Sequence, residues 1–154
     1  MVDTGRMQKT RVKVFYYSKS GNTKKVAEAI AAEMKTDAIN VASHGGNYEM
    51  TDCDLLFVGS GVYWFRAGNE MVKFLETLAP SVGKNAVVFG THGSRDDHIA
   101  QMKKILEGKG LKVIGEWSCP GQEYAMVNRG RPNEEDLKEA KEFARRMLWK
   151  VEVI

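Results

Sequence analysis

Apolar residues along this chain fall into short solid runs and longer spaced stripes, and the two kinds alternate. Val12–Tyr17 is a run of β-branched and aromatic residues, the mark of a strand buried on both faces. Val26, Ala27, Ile30 and Met34 then recur at spacings of three and four, which predicts a helix with one buried face. Ala38–Ala42 reads as a weaker strand, broken off by His44-Gly45-Gly46-Asn47. Asp54–Gly59 is a third strand, continuously apolar through Leu55-Leu56-Phe57-Val58. Met71, Phe74, Leu75 and Leu78 mark a second helix that Pro80 ends. Ala86–Phe89 is a fourth strand, and Ile99, Met102 and Leu106 define the helix after it, closed by Gly108 and Gly110. Lys112–Trp117 starts a fifth strand that resumes around Tyr124–Val127 after Pro120-Gly121. Asn133 is a good N-cap for the last helix, because Glu134, Glu135 and Asp136 favour its positive end. Leu137, Ala140, Ala144, Met147 and Leu148 form its buried face.

Strict alternation of strands and helices implies an α/β fold with a parallel sheet and helices on both faces. Right-handed crossovers leave few topologies for such a sheet, and 2-1-3-4-5 is the common order. It places a ligand crevice at the carboxyl ends of the strands, where the order switches between strands 1 and 3. Residues 1–10 read as a flexible leader and 11–154 as a single domain, without repeats or low-complexity segments.

Composition narrows the classes. The 154 residues are 43% hydrophobic and 28% charged, the balance of a globular chain able to bury a core. The formal charge of +3 comes from interspersed residues with no dense basic block, so nucleic acid is not expected as a partner. No run reaches the ~18 apolar residues of a membrane span, so no membrane insertion is expected. The start of the chain is polar and lacks the apolar stretch of a secretory signal, which points to the cytoplasm. Cys53 and Cys119 have no ligand spacing and are expected to be buried structural thiols. No His/Asp/Glu cluster suggests a metal, and no convincing general acid or nucleophile offers itself.

The chemistry-bearing segment is Ser18-Lys19-Ser20-Gly21-Asn22-Thr23, between the first strand and the first helix. A helix start presents unpaired N–H groups and partial positive charge, which suit a phosphate. Gly21 permits close backbone approach, while Ser18, Ser20 and Thr23 add hydroxyl donors. The segment lacks the Gly-Lys-Ser/Thr ending of a triphosphate loop and the GxGxxG spacing of a dinucleotide fold. Two readings therefore stand together: a cradle for a terminal monophosphate, or an N-capping turn rich in Ser and Gly.

Phe15-Tyr16-Tyr17-Ser18-Lys19-Ser20-Gly21-Asn22-Thr23 resembles the flavodoxin signature, a strand followed by Ser/Thr-x-Ser/Thr-Gly-x-Thr. Asp54–Gly61 is similar to that family's third strand and flavin loop, and Val88–Ser94 to its second flavin loop. Gly130–Leu137 is similar to the entry into its final helix, so the resemblance covers almost the whole chain from Arg11. It implies a flavodoxin-like three-layer α/β/α sandwich that binds FMN. Carried over, Ser18, Lys19, Ser20, Gly21, Asn22 and Thr23 would hold the phosphate. Ser60, Gly61, Val62, Tyr63 and Trp64 would line one side of the ring, with Tyr63 matching the stacking position best and Trp64 second. Thr91, His92, Gly93 and Ser94 would bond its polar edge. The implied function is electron transfer between redox partner proteins. The alternatives are an oxidoreductase of the same fold, acting on a quinone or protoporphyrinogen-type substrate, and a flavin-free interaction module. No long insertion provides a substrate cover. Arg66, Arg95, Arg129 and Arg131 set the chain apart from the acidic members of that family, and cations near the ring would ease its second reduction. His44 and His98 match no constellation and are expected at the surface.

Overall fold

A computed structural model describes residues 9–44, 48–63, 66–93, 96–121 and 129–153. The leader expected over residues 1–10 therefore lies outside the described residues except for Lys9 and Thr10, and so does the resumed strand at Tyr124–Val127. The main sheet holds β1 (Val12–Tyr17), β2 (Ala38–Asn40), β3 (Leu55–Ser60), β6 (Asn85–His92) and β7 (Lys112–Pro120). Between β3 and β6 lie two short strands, β4 (Val62–Tyr63) and β5 (Arg66–Ala67), which pair antiparallel as a separate ribbon. The five strands of the main sheet are parallel and ordered β2-β1-β3-β6-β7, the predicted order once the ribbon is set aside.

Successive residues of a strand point to opposite faces, so each strand feeds two cores. Val14 and Tyr16, with Leu55, Phe57, Val87 and Phe89, meet α1 (Asn22–Met34) and α4 (Glu134–Glu152). Phe15, Leu56, Val58 and Val88 meet α2 (Asn69–Glu76) and α3 (Asp97–Gly108). Three layers result, as expected. The α4 entry carries a full capping box. The Asp136 N–H donates to the Asn133 side chain at 2.9 Å, and the Asn133 N–H donates to the Asp136 carboxylate at 2.8 Å.

Several boundaries differ from the sequence reading, each for a local reason. The second strand stops at Asn40 instead of Ala42, because the Asn40 side chain accepts the Ala42 N–H and turns Val41–Ser43 into a 3-10 turn. The third strand begins at Leu55, not Asp54, whose carboxylate is taken by Arg11 at 3.0 Å. Helix α2 ends at Glu76, before Leu78, where the Thr77 hydroxyl donates to the Lys73 carbonyl and caps the last turn. The fourth sheet strand runs on past Phe89 to His92, since β7 continues to Pro120 and pairs with it throughout.

Candidate functional site

At the carboxyl ends of β1, β3 and β6, three connections converge. The first is Ser18–Gly21, leading into α1. Gly21 sits at φ +97°, a left-handed conformation that glycine adopts without penalty. A Cβ at this position would meet nothing within 4 Å, so the turn faces open space where an anion can approach the helix start. The Ser18 hydroxyl accepts the Gly21 N–H at 3.0 Å and so shapes the turn from within. Thr23 is buried, and its hydroxyl lies 2.8 Å from that of Thr91 on β6, tying the first connection to the third. Lys19 and Ser20 are exposed, and Gly21 and Asn22 are half-buried.

The second connection is the β4–β5 ribbon, which the hydrophobic pattern did not reveal because each strand is only two residues long. It is pinned at three points. The Gly68 N–H donates to the buried Ser60 hydroxyl at 3.0 Å, and that hydroxyl donates to the Gly61 carbonyl at 2.8 Å. The Ala67 N–H donates to the Gln101 side chain on α3 at 2.7 Å. The Lys19 N–H donates to the Tyr63 hydroxyl at 2.9 Å, so the ribbon reaches the Ser18–Thr23 turn directly. Tyr63 meets Tyr17 edge-on, with ring centroids 5.9 Å apart. Burial pushes the Tyr63 hydroxyl pKa up, against the opposing pull of the Lys19 N–H. Val62 is half-buried and Gly61 buried. Beside this contact opens a cavity of about 450 Å³ lined by Tyr17, Lys19, Tyr63, Arg66 and residues 67–70. Trp64 lies outside the described residues.

The third connection leaves β6. Thr91 and His92, expected in a loop, are its last residues, and Gly93 follows; Ser94 and Arg95 lie outside the described residues. His92 Nδ1 is 2.6 Å from the Ser118 hydroxyl on β7, and the Gly121 N–H donates to the His92 carbonyl at 2.8 Å. A Cβ on Gly121 would come 2.9 Å from the Asn22 side chain and 3.2 Å from Thr91, so the end of β7 also closes on the Ser18–Thr23 turn. Ser118 and Gly121 carried no sequence signal for this role.

Both remaining histidines depart from the surface placement expected of them. His98 is fully buried in the first turn of α3, and neither ring nitrogen has a hydrogen-bond partner among the described residues. It lies behind the site against Gly90, where an added Cβ would fall 2.6 Å from Nε2 and 2.6 Å from the Ser60 carbonyl oxygen. Burial, reinforced by His92, pushes its pKa down to about 4, while Asp96 and the nearby backbone of Asp96 and Thr91 pull the other way. His44 packs edge-on against Phe15 and Phe74, at centroid distances of 5.2 and 5.9 Å. Cys53 and Cys119 are buried free thiols, as expected, with pKa values raised by burial to about 11 and about 12. Of the arginines expected near the site, Arg66 borders the cavity, whereas Arg131 is held by Asp136 in a two-pronged ion pair at 2.6 Å. Among the described residues no group of His, Cys, Asp and Glu could hold a metal ion, and no helix is long and apolar enough to cross a membrane.

This fold belongs to a known class. The family model for the flavodoxin domain matches residues 13–129, and the chain belongs to that family. An uncharacterized protein of Methanocaldococcus jannaschii is 31% identical over 137 residues, covering 82% of this chain and 90% of its own. Among solved structures, a flavodoxin from the domain Archaea superposes with a TM-score of 0.74 at 21% identity, over 92% of this chain and 98% of that one. Rubredoxin oxygen:oxidoreductase from Desulfovibrio gigas gives a TM-score of 0.75 at 16% identity, over 93% of this chain and 37% of the larger one.

Proposed function

We propose that the chain is an FMN-dependent electron carrier that passes electrons between redox partner proteins in the cytoplasm. The observation that carries this reading is the convergence of the hydroxyl-rich turn Ser18–Thr23 with the β4–β5 ribbon and the end of β6 at the switch point of the sheet. The open space before Gly21 suits a terminal phosphate, with neutral N–H and O–H groups of the turn around it and the cation of Lys19 beside it. Bound there, FMN supplies reversible uptake of electrons. The protein's part is to bind, orient and tune that group. Exposed Lys19 and Ser20 offer donors to the phosphate, while Thr23 and Thr91 fix the turn relative to β6. His92, held through Nδ1 by Ser118, and Gly93 would face the polar edge of the ring. Membership of the flavodoxin domain family supports a redox role for this site.

The test is a visible spectrum of the purified protein before and after addition of FMN, followed by stepwise reduction. Flavin bands that disappear in two separable one-electron steps are expected. A protein that stays colourless after reconstitution overturns the flavin assignment. Direct two-electron reduction with turnover of a quinone by NAD(P)H overturns the carrier role in favour of an oxidoreductase.

A further inference from the structure

Tyr63 matches the family position from which a side chain would stack on the flavin ring, but its hydroxyl points elsewhere. It lies 2.9 Å from the Lys19 backbone nitrogen, inside the turn that the foregoing reading assigns to phosphate. The phenol oxygen accepts the Lys19 N–H, and its own proton finds no acceptor among the described residues. Burial raises the Tyr63 pKa, so this proton is retained at neutral pH. A hydroxyl that accepts a hydrogen bond becomes a better donor, since the two bonds polarise one another.

The turn's other hydroxyls make the point sharper. Ser18 already accepts the Gly21 N–H, and Thr23 is buried against Thr91. Lys19's N–H, one of the donors a phosphate would use, is spent on Tyr63. The ring is held where it is from several sides. Its edge meets Tyr17, and Gly61 lies so close that a Cβ there would come 2.9 Å from the Tyr63 hydroxyl oxygen. The ribbon carrying it is fastened through Ser60 and Gln101.

We propose that Tyr63 is a phosphate-binding residue: its O–H extends the Ser18–Thr23 turn and donates to the terminal phosphate of the flavin. This deepens the FMN reading and rests on it. Lys19 and Arg66 flank the same cavity and add positive charge, with Glu70 the one opposing carboxylate in its lining.

The proposal separates a phosphate contact from a ring contact, and riboflavin, which has no phosphate, distinguishes them. Dissociation constants for FMN and riboflavin are measured by fluorescence titration of the flavin-stripped full chain, as wild type and as Tyr63→Phe. A thermal melt of each protein establishes that the variant folds. Loss of one hydrogen bond to a charged group weakens FMN on the order of tenfold. Riboflavin binding is expected to stay within about twofold, because the ring of residue 63 is kept. Equal weakening for both ligands overturns the proposal and makes Tyr63 a support of the ring site. Tighter FMN binding by the variant also overturns it, since the hydroxyl would then compete with phosphate for the Lys19 N–H. No change in either affinity overturns it as well, while a wild-type preference for FMN over riboflavin leaves the phosphate-turn reading standing. Wild-type protein that binds neither flavin, or both alike, removes the phosphate-turn reading and this proposal with it.

Discussion

His98 should make this protein lose stability on mild acidification, well above the range in which carboxylates titrate. The side chain is fully buried behind β6, and neither nitrogen has a hydrogen-bond partner among the described residues. Its folded pKa is about 4 against an ordinary value of 6.5. Between these values the unfolded chain binds a proton that the folded protein refuses, so stability is complete above the ordinary value and falls as pH drops towards 4. The separation of the two values corresponds to roughly 3 kcal/mol, a large part of the 5–15 kcal/mol typical of a domain. Carboxylates act lower down. Asp54, held at about 2 chiefly by its hydrogen bond from Arg11, contributes stability that is present above 3.8 and lost as pH falls through about 2. Urea denaturation followed by circular dichroism, from pH 7 to pH 4, is the assay. His98→Leu keeps the volume and removes the titration, so the stability difference should move by roughly 3 kcal/mol in the variant's favour across that range. Parallel curves for the two proteins would mean that His98 is not the source of the acid sensitivity.

Three further outcomes follow from packing and charge. Gly90→Ala forces a methyl group against His98 and the Ser60 carbonyl, so urea denaturation should show a loss of about 1–3 kcal/mol; a loss under about 0.5 kcal/mol counts against the close packing. Asp136→Ala removes both the capping box and the buried end of the Arg131 pair, for a loss of about 2 kcal/mol in the same assay. That contribution is present above the ordinary carboxylate value and disappears in wild type as pH falls through the lowered value, so the two proteins should converge in acid. Cys53 and Cys119, buried with pKa values of about 11 and about 12, should be inert to a thiol reagent in native protein and react together on unfolding. Rapid labelling of either thiol under native conditions would contradict their burial.

The layers, the strand order and the α4 cap were legible because each rests on local patterns: period-two runs, period-three-and-four stripes and a capping signature. What escaped the sequence depends on contacts between distant segments. The β4–β5 ribbon has no periodicity to detect and is held by the nearby Ser60 and by Gln101 and Lys19, which are far from it in sequence. The end of β6 read as loop from its resemblance to the family's second flavin loop, yet β7 runs beside it and keeps it extended. His98 did leave a trace. It stands four residues before Met102 and eight before Leu106, on the stripe that predicts the helix, but it matches no constellation and is therefore expected at the surface. Arg131 shows the converse: as a cation near the site it suggested tuning of the flavin, while its partner Asp136 neutralises it within the helix cap.

The hydroxyls of the motif behave differently from the way its residue types suggest. Ser18, Ser60, Thr23 and Thr91 carry the family resemblance, yet each spends its oxygen on a protein partner. Two of these bonds fix turns from within, and the third joins α1 to β6 across the crevice. Such bonds cost little where the groups are already buried, and they remove the freedom that a ligand would otherwise have to quench. The motif is therefore best understood as a frame. Its side chains hold three connections at fixed separation, and the groups left to meet an anion are backbone N–H donors, the exposed Ser20 hydroxyl and the O–H protons that Ser18 and Tyr63 keep while accepting backbone N–H groups. On this account, substitutions at Thr23 or Thr91 should loosen both FMN and riboflavin by disturbing the frame, whereas a change at Tyr63 or Ser20 should separate the two ligands.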